Sequence, residues 1–154
     1  MTESQADRKQ ISYGYLLSKE NFENTPLIPP AAKRILKKGE YYLLIFIPGE
    51  ELLKISSIPV EHSDIKKILI RLKEFSPDLV KGISDILKNY NLGDSTIHTT
   101  GLCFSGINCF YETYVDATKA TTLKISLEGI KNEFKKIPRV EDVQVLEIEL
   151  KDLK

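Results

Sequence analysis

Leu79, Ile83, Ile86, Leu87 and Tyr90 fall at i, i+4, i+7, i+8 and i+11, the spacing of a helix with one apolar face. The stretch that holds them, Ser76–Tyr90, is punctuated as a helix should be. Ser76 is an N-cap, Pro77 fits the first helical position, and Asp78 places an anion in the first turn. An apolar run ending near Phe75 precedes it and reads as a strand. A strand that feeds a helix N-terminus exposes backbone N–H groups, a natural seat for the carboxylate or phosphate of a small ligand. Phe75, Ser76, Pro77, Asp78 and Leu79 are therefore the candidate ligand-binding residues.

From Lys67 onward the pattern alternates regularly. Strand 68–74 turns Ile68, Ile70 and Leu72 to one face, and helix 77–90 follows. Segments 96–104 and 108–117 form a hairpin around Ser105-Gly106-Ile107. A helix over about 121–137 carries Leu123, Leu127, Ile130, Phe134 and Ile137, stops at Pro138, and is followed by a last strand over 140–150. This βαββαβ order implies an α+β fold, a ferredoxin-like sandwich at 67–150: an antiparallel four-stranded sheet with two helices on one face. The other face is expected to be open, which calls for a partner: a homodimer or higher homo-oligomer through that face or a sheet edge.

Residues 67–150 resemble the ACT family of small-molecule-sensing domains, on Ser76-Pro77-Asp78-Leu79-x3-Ile83-x3-Leu87-x4-Leu92 and on the order of all six elements. The resemblance implies a regulatory domain, tied to amino-acid metabolism, that takes an amino acid or another small anionic ligand at the strand–helix junction. Asp78 stands where the family has Gly, a departure that leaves the ligand open and admits an amine.

The first third has a different texture. Residues 1–10 are polar and read as a disordered N-terminus. Residues 11–62 form a small β-rich module: a strand at 11–17 weakened by Gly14, an extended Pro26–Pro30 segment, a short helix at 31–36, and a hairpin of Tyr41–Ile47 and Glu51–Val60 about Pro48-Gly49. The run Tyr-Tyr-Leu-Leu-Ile-Phe-Ile suggests burial on both faces. Ile28-Pro29-x6-Leu36-x2-Gly39-Glu40 followed by a hairpin resembles AbrB-like swapped-hairpin DNA-binding domains, with a shorter loop before Gly39. That resemblance implies a transcriptional regulator contacting double-stranded DNA through Lys33, Arg34, Lys37 and Lys38, the densest basic cluster of this half. Read from the residues alone, the same four side chains also suit a solvated helix end.

Composition excludes several classes. Lys+Arg and Asp+Glu are equal at 22 each, so no global field attracts nucleic acid. No apolar run approaches a membrane span, and two cysteines with no Trp suggest a cytoplasmic chain without a membrane role. Cys103 and Cys109, symmetric about Gly106, face each other across the hairpin at a spacing open to a disulfide or soft-metal ligation, with buried thiols the expected state. His98 pairs with Tyr114 on the opposite face, so no metal site is expected there, and His98 and His62 have ordinary roles. Glu112 and Asp116 read as surface carboxylates. No nucleophile–base pair, zinc motif or phosphate loop is present, so neither catalytic residues nor a cofactor are expected. The alternative to a DNA-binding regulator is a non-enzymatic allosteric or scaffolding subunit that acts on a protein partner.

Overall fold

The computed structural model describes residues 9–104 and 108–151. Within them the chain is α+β, with one three-stranded and one four-stranded antiparallel sheet and five helices. The described residues fall into two compact units, one of Ile65–Glu147 with residues 9–11, the other of Ser12–Asp64 with residues 148–151. The expectation of disorder over residues 1–10 lies almost wholly outside the described residues.

In the second of these, β1 (Tyr13–Ser18) pairs with β2 (Tyr41–Pro48), and β2 with β3 (Leu53–Val60). The double-sided apolar character of β2 is explained by its central place: Leu43, Leu44 and Ile45 are all fully buried. Leu44, Tyr42 and Leu17 pack on one face with Phe22. Phe22 comes from α1 (Lys19–Asn24), a helix the sequence reading passed over, and its ring stacks on Tyr42 at 3.7 Å. The signal was local: Ser18 Oγ accepts from the Asn21 N–H as an N-cap. With one buried residue in six positions, α1 has no periodicity to detect. The second helix, α2 (Pro30–Ile35), buries nothing, and Ile35 is 87% exposed.

The other unit begins with β4 (Ile65–Leu72), followed by α3 (Pro77–Asn89), β5 (Thr96–Phe104), β6 (Asn108–Asp116), α4 (Thr118–Thr122), α5 (Leu127–Lys135) and β7 (Val140–Glu147). The strand order is β5-β6-β4-β7. Ile68, Ile70 and Leu72 of β4 and Val143 of β7 meet Leu79, Ile83 and Leu87 of α3 and Ile130 and Phe134 of α5 in one core. The apolar stripe that defined α3 is thus its buried face.

In this unit three elements depart most from their expected bounds. The helix expected at 121–137 is two helices, because Lys124 takes a left-handed conformation (φ 56°) and ends α4. The Ile125 N–H reaches the Ala120 carbonyl and the Lys124 N–H that of Thr121, a Schellman cap with Ile125 turned into the core. Ser126 then caps α5, leaving Leu123 exposed. Asn91 (φ 58°) closes α3 the same way, with Leu92 N–H on Leu87 O. The last strand stops at Glu147, not Leu150. Val143 and Val145 share the core face, whereas Ile148 and Leu150 have the opposite parity and could not follow them inward. Residues 149–151 pair in parallel with Leu16 instead. The first strand begins earlier than expected, at Ile65, and ends at Leu72 beside a bulge in its pairing with β7.

The sheet face away from the helices is not bare. Leu69, Phe104 and Phe110 form a second buried cluster with Ile11, against which Leu146 packs. This corrects the expectation of an open face.

Candidate functional site

The β4–α3 junction is built as its residues require. Ser76 Oγ accepts from the Leu79 N–H at 3.1 Å, and the Val80 N–H donates to the Ser76 carbonyl. Pro77 has no N–H. Among the described residues, the Asp78 amide alone of this first turn is therefore left without a partner. The expected cradle of several free amides reduces to one, and it belongs to the residue carrying a carboxylate. Backbone donors at this helix start are too few to hold an anion by themselves.

The turn between α5 and β7 supplies what the backbone lacks. Val140 N–H closes on Ile137 O around Pro138 and Arg139, with Arg139 at φ 74°. Pro at the second and a positive φ at the third position make a type II turn, with Arg where Gly is usual. The turn is fastened to the junction by Lys73 N–H on Arg139 O (3.2 Å) and by an ion pair of Arg139 with Glu74. Ser76, Asp78, Leu79, Ile137, Pro138 and Arg139 line a cleft of about 280 Å³. Its charged groups are one carboxylate and one guanidinium, and the rest of its lining is Ser76 with the apolar Leu79, Ile137 and Pro138. Such a lining suits an amine at Asp78 and an anion at Arg139. Phe75 and Pro77 lie apart from it, in a broad open groove along α3 with Val80, Lys81 and Ser84. Phe75 rests on β5 at Gly101, where a Cβ would come within 3.0 Å of the ring.

Of the expected ligand residues, Ser76, Asp78 and Leu79 thus share one cleft and Phe75, Ser76 and Pro77 another. Arg139 was missed. The only trace of it in the sequence was Pro138, read as a helix stop rather than as the start of a turn.

The four basic residues of the other unit have unequal roles. Lys33 Nζ donates to the carbonyls of Glu23 (3.0 Å) and Thr25 (2.6 Å) and lies 5.9 Å from the Phe22 ring centroid. It is engaged in joining α1 to α2. Arg34, Lys37 and Lys38 are exposed, and their side chains have no hydrogen bond or ion pair among the described residues.

Two features depart from the sequence reading. Glu112 is fully buried rather than on the surface, and Lys67, on the neighbouring strand, is 1% exposed. They pair at 2.9 Å, the Ile11 N–H donates to Glu112 at 2.7 Å, and Lys67 Nζ donates to the Gln10 side chain at 2.9 Å. Burial lowers the Lys67 pKa, an effect opposed by the charge and hydrogen bond of Glu112. Cys103 and Cys109, opposite each other in the register, are joined in a disulfide (Cα–Cα 4.0 Å), correcting the expectation of thiols. His98 does lie opposite Tyr114, as expected. Asp116 accepts from the Thr118 N–H at the start of α4. No group of three metal-ligating side chains occurs among the described residues, and no described helix is long and apolar enough to cross a membrane.

No family model matches the chain, and no curated protein does.

Proposed function

We propose that Ile65–Glu147 is a ferredoxin-like, ACT-like sensing domain and that the chain is a small-molecule-responsive regulatory protein. The strand order β5-β6-β4-β7, with helices between β4 and β5 and between β6 and β7, supports the fold assignment. The observation that carries the functional reading is the cleft at the start of α3, where Asp78 and Arg139 offer opposite charges beside the apolar Leu79 and Ile137. Its ligand is a small zwitterion or amine, the amino group at Asp78 and any carboxylate or phosphate at Arg139. A thermal-shift screen of amino acids, amines and nucleotides tests this: a ligand at 100 times its Kd adds about 2.7 kcal/mol of stability. Asp78→Ala and Arg139→Ala should each abolish the shift. A screen without response in the wild type would sink the reading.

The oligomer this reading needs would form along β5. That strand lies at the sheet edge and carries no charged side chain, whereas the opposite edge, β7, carries Glu141, Asp142 and Glu147. Light scattering on the purified protein decides between monomer and dimer. The regulatory output has two forms, a DNA-binding regulator or a subunit acting on a protein partner without DNA. The exposure of Arg34, Lys37 and Lys38 favours the first. Three phosphate contacts would give a salt-dependent duplex affinity, with a log–log slope of about −3. No binding to duplex DNA at low salt would leave the protein-partner form.

A further inference from the structure

We propose that the Cys103–Cys109 disulfide is a redox control on the β4–α3 junction, an inference that rests on reading that junction as the ligand site. The two cysteines are the only ones in the chain, and only six positions separate them. A bond across so small a loop, between strands already paired from Thr96 to Phe104, removes comparatively little chain entropy. Stapling the fold is a poor account of it.

Its position offers a better one, because both strands it joins touch the junction. Cys109 lies opposite Leu72, the last residue of β4, and its Sγ stands 3.7 Å from the carbonyl oxygen of Lys73. On β5, Gly101 shares the face of Cys103 and forms the floor under Phe75. The disulfide therefore clamps the strand beneath Phe75 to the strand beside Lys73. Cys109 is fully buried, while Cys103, on the edge strand, is partly exposed, so an attacking thiolate reaches Cys103 first.

The reaction is thiol–disulfide exchange with a dithiol. Its thiolate bonds to Cys103 Sγ, the Sγ–Sγ bond breaks, and the electron pair leaves on Cys109 Sγ, which takes a proton. The second thiol of the reductant then attacks the mixed disulfide, releasing Cys103, which is protonated, and leaving the reductant as its own disulfide. The protein gains two electrons and two protons. Reduced Cys109 has a proton to donate, and the Lys73 carbonyl is within reach, so β6 gains a hold on Lys73 while β5 is left attached to β6 by its ladder hydrogen bonds alone. The Phe75 side of the junction is the side that loosens.

Amide hydrogen exchange followed by NMR tests this on the ligand-free protein, oxidised and reduced with excess dithiothreitol. The amides of Leu79 and Val80, which are bonded to Ser76, should exchange about tenfold faster or more after reduction, those of β2 should not change, and reoxidation should restore the original rates. The variant Cys103→Ala/Cys109→Ala should show the fast rates without reductant; if it fails to fold, the reduced wild type carries the test. A response confined to residues 102–110, or a disulfide that the dithiol does not reduce in the folded protein, overturns the proposal. The result is separable from the ligand reading. A responsive junction with an empty ligand screen refutes the ligand reading, and a ligand bound equally in both redox states refutes the control.

Discussion

The ammonium of Lys67 and the carboxylate of Glu112 meet at 2.9 Å on adjacent strands, both out of contact with solvent, and Gln10 and the Ile11 amide add hydrogen bonds to them. Two opposite charges are tolerable at this depth only because each is paired and hydrogen-bonded. The pair thus holds residues 10 and 11 on the sheet face that also carries Leu69, Phe104 and Phe110.

Removing one partner should be costly. Lys67→Met leaves a buried carboxylate without its cation and should cost about 3–5 kcal/mol in urea unfolding, whereas Lys67→Met/Glu112→Leu should recover most of the loss. A single-variant cost below 1 kcal/mol would show that the pair is solvated.

The same lysine sets an alkaline pH dependence. Its folded pKa lies below the ordinary value of 10.5, so between the two the unfolded chain holds more protons. Stability of the wild type relative to Lys67→Met should rise as pH climbs through that window and level off at its top. Tyr111, whose pKa burial raises above 10.0, acts oppositely, its contribution being lost as pH rises through its folded value. Urea midpoints of both proteins across the alkaline range, taken as a difference, cancel the Tyr111 effect.

Ser76 and Ser126 cap α3 and α5 through the same bond to the third helical N–H, at 3.1 and 3.2 Å. Ser76→Ala and Ser126→Ala should each cost about 1 kcal/mol. Only the first should weaken a ligand-induced thermal shift, and equal effects on that shift would move the site away from the junction.

Arg139 combines a left-handed backbone with an exposed ion pair to Glu74. Arg139→Gly relieves a conformational cost of roughly 1–2 kcal/mol and loses a pair worth at most about 1. Arg139→Ala keeps the cost and loses the pair. The melting temperatures should rank Gly at or above Arg, and Arg above Ala, while ligand response disappears in both variants. A more stable Ala variant would contradict the turn geometry.

Lys124 occupies the corresponding position in the cap of α4. Lys124→Gly should gain about 0.5–1 kcal/mol and Lys124→Val should lose about 1 or more, read from chemical denaturation. An unchanged Val variant would mean that α4 runs on into α5 in solution.

What the sequence determined by itself was what short-range chemistry controls. The apolar stripe and cap of α3 were legible, as were the inward parity of Ile68, Ile70 and Leu72, the opposition of Cys103 to Cys109, and the buried centre of β2. Each follows from a repeat of 3.6 or 2 residues, or from a Ser or Pro acting on its neighbours. Features that depend on partners far apart in the chain were decided only in three dimensions. Glu112 looked like a surface carboxylate until Lys67, 45 positions earlier, and Ile11, 101 positions earlier, came to meet it. Lys33 looked like a phosphate contact until the carbonyls of Glu23 and Thr25 captured it. Asp78 left the ligand open, and Arg139, from the far end of the domain, reaches the same cleft only in the fold. A side chain's charge is written in the sequence, but its solvation and its counter-charge are set by whatever the fold brings alongside.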